Sequence, residues 1–460
     1  MSDTMKPTGT TTLDLGPRGQ LTGSVLANGA KRFTHIPYAL PPTGSRRWKR
    51  PEPLPKDYVY GSNGPLDCTR YGNVCPQPEY IVNGKSMINT DYKFDEDCLA
   101  VNVWLPPGDA PKKGWPILAW IHGGWLQIGD PSLKEHTQPT QLIAEGGLNA
   151  IVVSIGYRLN IFGFLAGEGL EGNFVESQLQ NVLSTFSIPT SLTPSERLDR
   201  LRSIPAQTLV SRIFDLDIHT FRGVTDDAII PCDLITNIHT GAFAARFKER
   251  RMRILLGEAE TEEVLYALTN PPPSFSDAEM LRALNNYYAE PVCAALLALY
   301  KEEGGAADPR VATALALGDE REKAKRLFGL ITSDVQVRAP IRVLAKALFD
   351  GGVPAERILR YRVAYRPECT DKVYPRSYGV THACDGVSWW YIERYGFSKA
   401  EKEHVRKWLG KTLIPLVMGD GDREEKLGAG DFLYFKENGE AGVVKDQHWE
   451  WLSRVAKTFG

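Results

Sequence analysis

The fold is indicated by Trp120-Ile121-His122-Gly123-Gly124-Trp125, where an apolar run passes directly into a histidine-glycine-glycine turn. The apolar run begins at Ile117, and a second one extends from Ile151 to Ile155. Continuous apolar runs of this length are typical of parallel strands that are buried on both faces of a sheet. We therefore predict two such strands, with the turn at the end of the first.

Further strands and helices extend this pattern on both sides. Residues 99–105 alternate apolar and polar positions, 254–256 are apolar, and 358–365 alternate Leu, Tyr and Val with Arg, which is typical of a sheet edge. Ser or Thr followed three residues later by Glu is a capping box that marks a helix start. Such boxes begin at Thr193, Ser276 and Ser398. Strands interleaved with helices predict an α/β fold.

Composition narrows the class of protein. The chain has 460 residues, of which 42% are hydrophobic and 24% charged, with a formal net charge of −2. This balance gives no electrostatic reason to expect a nucleic acid or an anionic membrane as partner. Because no apolar run is long enough to span a bilayer, and neither a signal peptide nor an Asn-x-Ser/Thr acceptor is present, we predict a cytoplasmic protein. The oligomeric state stays open.

The turn after Ile121 also has a chemical meaning. Acyl transfer builds a negative charge on the former carbonyl oxygen, and backbone N–H groups can stabilise that oxyanion. Glycine lets the backbone approach the charge closely, so Gly123 and Gly124 suit this role. The alternative interpretation is a plain turn between a strand and a loop.

Several blocks of sequence then resemble one family in the order in which that family carries them. The blocks are Phe33–Pro42, Cys75–Gln77, Glu96–Trp104, Ser154–Arg158 and Phe162–Leu165. They resemble the type-B carboxylesterases, which include the cholinesterases and many fungal esterases. The resemblance implies an α/β-hydrolase fold, with a central, mostly parallel sheet flanked by helices in a single domain over residues 1–460. It also implies a small-molecule ester as substrate and an oxyanion hole at the amides of Gly123, Gly124 and Trp125.

The resemblance also implies two residues for proton transfer. The stretch Leu256–Glu263 resembles the block whose glutamate is the acid of a catalytic triad, and the position match gives Glu262. The stretch Gly379–Asp385 resembles the block of the catalytic histidine, which gives His382 as general base. The alternatives are a solvated acidic helix start at Glu262 and a structural or surface histidine at 382.

The seven cysteines leave two interpretations open. In secreted members of the family an early disulfide would match Cys75 and Cys98. Free buried thiols in a reducing compartment fit equally well, since an odd number of cysteines argues against a fully paired framework.

The serine nucleophile is missing from the sequence. An ester hydrolase of this fold carries it in a Gly-x-Ser-x-Gly elbow between a strand and a helix, and here no serine has glycine at both positions. Ser177 imitates the elbow, but Val175 and Leu179 occupy the glycine positions, so we predict a polar helix there. The resemblance implies that a segment on the order of ninety residues is absent between Asn173 and Phe174. We then expect the strands at 151–155 and 254–256 to lose their neighbours, and either to pair with each other directly or to expose apolar edges.

Three functions are compatible with this pattern. The first is a carboxylic ester hydrolase with a serine mechanism in its parent form, whose sequence is shortened and which is inactive as given. The second is a non-catalytic protein that uses the hydrolase scaffold for binding. The third is a biosynthetic enzyme that uses His382 and Glu262 without a serine. No metal or organic cofactor is implied, because the sequence contains neither a zinc-spaced Cys/His set nor a phosphate loop.

Overall fold

The computed structural model describes residues 6–82, 85–87, 92–132, 138–167, 176–227, 229–372, 374–392, 396–419 and 426–458. The chain divides into two compact units, Met1–Cys232 and Asp233–Gly460. The expected junction between Asn173 and Phe174 lies outside the described residues. The single domain over 1–460 stays a prediction.

The first unit is built on a mixed sheet in the order β1-β2-β3-β7-β9-β8, with β4 beside β2. Its parallel pairs are β8 with β9 and β2 with β4, and the others are antiparallel. The sheet is therefore less parallel than expected. The strands of this unit are β1 (Pro7–Asp14), β2 (Gln20–Leu26), β3 (Lys31–Pro37), β4 (Leu66–Asp67), β5 (Ile81–Val82), β6 (Lys85–Ser86), β7 (Ala100–Leu105), β8 (Ile117–Ile121) and β9 (Ile151–Ile155).

One of the two apolar strands lies at the edge of this sheet. Strand β9 has β7 on one side and β8 on the other, so the expectation that residues 151–155 lose a neighbour is wrong. Among the described strands, β8 pairs with β9 alone, and its side chains at Ile117 and Ile121 are 64% and 67% exposed. The apolar edge of this sheet therefore lies at β8 rather than at residues 151–155.

Helices pack beside this sheet around a core that includes Phe162, Leu183, Ile213 and Phe221. The helices of the unit are α1 (Thr140–Ala144), α2 (Asn160–Phe164), α3 (Glu176–Thr185), α4 (Pro194–Arg202) and α5 (Ala206–Ser211). Ser177 lies in α3, as predicted, and Thr193 forms the full capping box of α4. Short 3₁₀ turns cover Gly16–Arg18, Gly44–Arg46 and Ile213–Asp215.

The second unit has a four-stranded sheet in the order β10-β11-β12-β13. Its strands are β10 (Ile254–Ala259), β11 (Ile358–Val363), β12 (Asp431–Phe435) and β13 (Ala441–Lys445). The first three are parallel, and β12 and β13 form an antiparallel hairpin. Strand β10 pairs with β11 alone among the described strands, in agreement with the expected loss of a neighbour at 254–256.

The position predicted for β11 at a sheet edge is wrong, because β11 lies between β10 and β12. The arginines that suggested an exposed row are held by buried carboxylates. Arg362 donates to Glu258 at 2.6 Å and Arg360 to Asp446 at 2.6 Å. Ion pairing therefore allows a charged, alternating strand to occupy an internal position.

The second unit contains most of the helices. They are α6 (Leu234–His239), α7 (Ala242–Glu249), α8 (Glu263–Leu268), α9 (Asp277–Asn285), α10 (Glu290–Leu299), α11 (Gly305–Ala307), α12 (Pro309–Leu315), α13 (Glu320–Ser333), α14 (Ala339–Asp350), α15 (Gly386–Trp389), α16 (Lys399–Lys411), α17 (Leu413–Met418) and α18 (Trp449–Ala456). Ser398 forms the predicted capping box of α16, whereas Ser276 accepts from the N–H of Glu279 alone. π-helical turns cover Tyr300–Gly304 and Asp334–Arg338, and 3₁₀ turns cover Ala355–Arg357, Glu368–Lys372 and Arg376–Tyr378.

A close contact between α13 and α8 fixes the start of α8. A Cβ atom on Gly329 would lie 2.6 Å from the carbonyl oxygen of Glu263, so the helices could not approach so closely with any other residue there. The core of this unit includes Leu284, Leu296, Phe328 and Trp451. Helix α13 therefore forms a rigid support behind the segment that carries Glu262.

Candidate functional site

The predicted oxyanion loop follows β8 in the first unit. Residue His122 is buried, its ring stacks on Tyr157 at a centroid distance of 4.3 Å, and its carbonyl accepts from the Tyr157 hydroxyl at 2.7 Å. The side-chain amide of Gln127 donates to the carbonyl of Trp125 at 2.8 Å. The loop is thus held from both ends by side chains rather than by a sheet.

The glycines of this loop differ in their surroundings. Gly124 has a φ of +116°, and a Cβ atom there would lie 2.0 Å from the carbonyl oxygen of Ile128, whereas one on Gly123 would meet no atom within 4 Å. In the part of the chain that the structure describes, the N–H groups of Gly123 and Gly124 donate to no acceptor. Trp125 also has a positive φ, of 54°. A turn that leaves such N–H groups unused can bind an anion.

The predicted acid lies in the second unit, directly after β10. Glu262 is 3% exposed. One carboxylate oxygen, Oε1, accepts from the N–H of Ala259 at 2.7 Å. The other, Oε2, lies 2.6 Å from Nδ1 of His382. The structure thus brings the sequence-predicted acid and base together, although 120 positions separate them.

Two threonines join the loops that carry these residues. The N–H of Thr261 donates to the carbonyl of Val380 at 3.0 Å, and its hydroxyl donates to the carbonyl of Tyr378 at 2.9 Å. In return, the N–H of Leu265 donates to the hydroxyl of Thr381 at 2.9 Å. These bonds place the acid and the base at a fixed separation.

The electrostatics favour a protonated histidine. Burial lowers the pKa of His382, but the negative charge and hydrogen bond of Glu262 outweigh that effect, so the pKa is raised above its ordinary 6.5. The side chain of His382 is 34% exposed, which leaves part of the ring accessible to solvent. A partly exposed imidazole beside a buried carboxylate can take up and return a proton.

Sequence reasoning did not identify a second acid beside this pair. Asp385 accepts a hydrogen bond from the indole N–H of Trp389 at 2.7 Å. Burial raises its pKa to about 6, and the nearby charge of Glu262 adds to the effect. The signal in the sequence was its position three residues after His382, which places both side chains in one turn of the same loop.

The neighbouring glutamate has a different partner. Glu263 stands where the family block has a glycine, and its carboxylate lies 2.8 Å from Arg338 rather than near His382. Sequence reasoning also missed Arg338. Its signal was a pair of opposite charges four residues apart, Asp334 and Arg338, in a run from 327 to 339 with no other charged residue.

The two cysteines of the possible disulfide are free, buried thiols in the structure. Cys75 accepts from the N–H of Leu159 at 3.2 Å. A hydrogen bond with Cys75, and then burial, raise the pKa of Cys98 well above its ordinary value. The two thiols are thus in contact, and both interpretations of the sequence stay predictions.

Neither a metal-binding cluster nor a membrane-spanning helix is found in the part of the chain that the structure describes. Over the described ranges, no cluster of three or more His, Cys, Asp or Glu side chains is arranged to hold a metal ion. Nor does any described helix combine the length and apolar character that a bilayer crossing requires.

Comparison with known proteins agrees with the geometry. Residues 10–177 match the model of the carboxylesterase family. An uncharacterised esterase/lipase of Schizosaccharomyces pombe is 34% identical to this chain, over 97% of the chain and 96% of the relative. The chain belongs to the carboxylesterase family. This membership implies the α/β-hydrolase fold, as predicted from the sequence, and mixed sheets flanked by helices agree with it.

Other members of the carboxylesterase family show how far the similarity extends. A carboxylic ester hydrolase of Gibberella moniliformis is 28% identical over 95% of this chain and 93% of its own. The para-nitrobenzyl esterase of Bacillus subtilis is 42% identical, but over 30% of this chain and 26% of its own. The relatives are esterases by name, and the family acts on small-molecule esters.

Proposed function

We propose that this chain is a serine carboxylesterase whose nucleophile belongs to a segment absent between Asn173 and Phe174, and that as given it does not turn over esters by a serine mechanism. The observation that carries the proposal is the 2.6 Å contact between His382 Nδ1 and Glu262 Oε2. A scaffold adapted to binding alone has no need of a buried acid aimed at a partly exposed histidine.

The alignments with relatives support the absent segment. The alignment to the Schizosaccharomyces pombe relative runs over 536 positions although this chain has 460 residues, so at least 76 positions face no residue of this chain. The Gibberella moniliformis alignment runs over 531 positions. Taken together, that many positions are enough for a strand, an elbow and a helix.

The parent mechanism then has two steps. With Nδ1 held by Glu262, Nε2 of His382 accepts the proton of the serine as its oxygen attacks the ester carbonyl. In the parent enzyme the amides of Gly123, Gly124 and Trp125 bind the oxyanion, and His382 returns the proton to the leaving alcohol. Water then attacks the acyl-enzyme with His382 again as base, which releases the carboxylic acid.

The first test is the sequence of the transcript across the codons for Asn173 and Phe174. A message that encodes a glycine-flanked serine at this point supports the proposal. A contiguous message without an insert contradicts it and favours a non-catalytic binding protein or a base-catalysed enzyme without a serine.

The second test restores the segment. The aligned segment of the Schizosaccharomyces pombe relative is inserted after Asn173, and hydrolysis of p-nitrophenyl acetate is compared for the 460-residue chain, the restored chain, and the restored chain with His382→Ala. We expect turnover in the restored chain and none in the 460-residue chain, with His382→Ala in the restored chain slower by on the order of 10²- to 10⁴-fold. Turnover by the 460-residue chain that is lost with His382→Ala but resists a serine-directed phosphonate would instead support chemistry without a serine.

Two further proposals concern the cellular location of this protein and the class of its substrate. We place it in the cytoplasm, on the sequence features given above, and a fluorescent fusion that enters the secretory pathway would contradict this. We also expect a small-molecule ester as substrate, in keeping with the family.

A further inference from the structure

Arg338 is a buried charged residue at an irregular point of the fold. It ends the π-helical turn Asp334–Arg338 between α13 and α14, and its side chain is 2% exposed. Single π-helical turns within α-helices occur often at functional sites, because they redirect a side chain that a regular helix would point elsewhere. The π-helical turn therefore affects where the side chain of Arg338 points.

The guanidinium group of Arg338 holds the segment around Glu262 from behind. Its Nη2 donates to the carbonyl oxygen of Glu260 at 3.1 Å and to the carboxylate of Glu263 at 2.8 Å. These two acceptors belong to the residues that flank the Thr261-Glu262 pair. The same nitrogen therefore fixes the backbone before Glu262 and the side chain after it.

The other side of the guanidinium group is anchored in the helical core. Its Nη1 donates to the carboxylate of Asp334 at 3.1 Å. Asp334 is fully buried, accepts from the hydroxyl of Tyr300 at 2.7 Å and is paired with Arg310 at 3.1 Å. Arg338 thus connects the acid segment to a rigid set of buried charges.

We propose that Arg338 is a positioning residue, which holds Glu260–Glu263 so that the carboxylate of Glu262 meets Nδ1 of His382. The proposal rests on the proposed function, in which this pair transfers the proton. The planar guanidinium fork suits the task, because one rigid group can donate in several directions at fixed angles, whereas a lysine ammonium donates from a single point. The negative charges around it hold Arg338 in its charged form.

The pKa of His382 reports on this positioning. It is raised because Glu262 lies at Nδ1, and burial acts in the opposite direction. Asp385, on the same loop, raises it further. If the acid segment shifts, the effect of burial dominates and the pKa of His382 falls. Loss of the positive charge of Arg338 alone would act in the other direction, since removing a cation favours a protonated imidazole.

The experiment is a pH titration of the histidine ring signals by NMR in the full 460-residue chain, with His382 assigned from its loss in His382→Asn. The variants are Arg338→Gln and, as matched control, Arg360→Gln. Arg360 is also buried, at 1% exposed, but it donates to Asp446 and Ala429 and does not touch the acid segment. Each variant removes one arginine from a buried carboxylate that keeps another, since Asp334 stays paired with Arg310 and Asp446 with Arg342, so both lower stability.

We expect the pKa of His382 to fall to its ordinary 6.5 or below in Arg338→Gln and to stay at its wild-type value in Arg360→Gln. If Arg338→Gln does not fold, Arg338→Lys and Glu263→Gln serve instead. Each removes part of the bracing, and each should give a smaller fall.

An unchanged pKa of His382 in a folded Arg338 variant would overturn the proposal and leave Arg338 a structural residue. A raised pKa would also overturn it, because only its charge would then act. The titration needs no turnover, so it separates this proposal from the proposed function. A restored chain that hydrolyses no ester would refute the proposed function and leave the positioning role of Arg338 intact.

Discussion

Adding one methyl group to the oxyanion loop should destabilise it at Gly124 and have little effect at the adjacent Gly123. Gly124→Ala places a Cβ atom 2.0 Å from the carbonyl oxygen and 2.7 Å from the carbonyl carbon of Ile128, at a φ of +116°. Both atoms belong to the backbone, so no side chain can rotate away. Gly123→Ala places the same group in open space.

The magnitude follows from two separate costs. A backbone angle that only glycine adopts easily costs about 1–3 kcal/mol in a residue with a side chain. Overpacking against a fixed backbone costs about 1–3 kcal/mol more. Together they destabilise the closed loop by about 2–6 kcal/mol in Gly124→Ala. In Gly123→Ala neither cost applies, and the change should stay within about 1 kcal/mol.

The assay is hydrogen exchange of the loop, followed by mass spectrometry of peptides that cover residues 122–129. The N–H groups of Gln127 and Ile128 donate to the carbonyl of Gly124, so their exchange reports opening of the turn. Because 1.4 kcal/mol corresponds to a factor of ten, a loss of about 2 kcal/mol speeds exchange roughly 30-fold. Equal exchange in the two variants would refute the steric argument.

Three further predictions concern other parts of the chain. Glu262→Gln should lower the pKa of His382, because the carboxylate is what raises it. In the wild type, the pair therefore stabilises the folded state fully below pH 6.5, and this stabilisation is lost as the pH rises through the folded pKa of His382. Urea unfolding of both proteins at several pH values can check this. Arg47→Met should destabilise the first unit by about 3–5 kcal/mol, because it leaves the carboxylate of Glu96 buried without its partner at 2.6 Å, and Glu96→Met in the same chain should restore most of the loss. Cys232, which is exposed, should react first with Ellman's reagent, and reaction of the buried thiols at the same rate would contradict the structure.

Some sequence patterns are sufficient to predict a strand, but not its position in the sheet. Strands 117–121 and 151–155 were predicted with their observed bounds, because β-branched and aromatic residues, which favour strands, predominate in these short apolar runs. The edge position of β11 was predicted wrongly, since alternation of arginine with apolar residues is the same whether the arginines face water or buried carboxylates. Partners distant in sequence decide between these cases, and a single chain does not reveal them.

Some residues of the candidate site were likewise predicted from the sequence, and others were not. The family blocks led to Glu262 and His382, which the structure brings to 2.6 Å. The sequence showed a glutamate at 263, where the family block has a glycine, but not its partner, which in the structure is Arg338. Arg338 itself was not predicted, because its role depends on a π-helical turn that no local pattern announces. The catalytic roles stay predictions until the restored chain is assayed.

The edge strand β8 has a consequence for the life of this protein in a cell. Two isoleucines are 64% and 67% exposed on a strand that, among the described strands, pairs on one side alone. Exposed apolar side chains on a sheet edge are the kind of surface that holdase chaperones and degradation machinery recognise. Quality control, rather than translation, would then set the abundance of the 460-residue chain. A longer product of the same gene, with this edge covered by its own strand, should outlast it in a pulse-chase experiment.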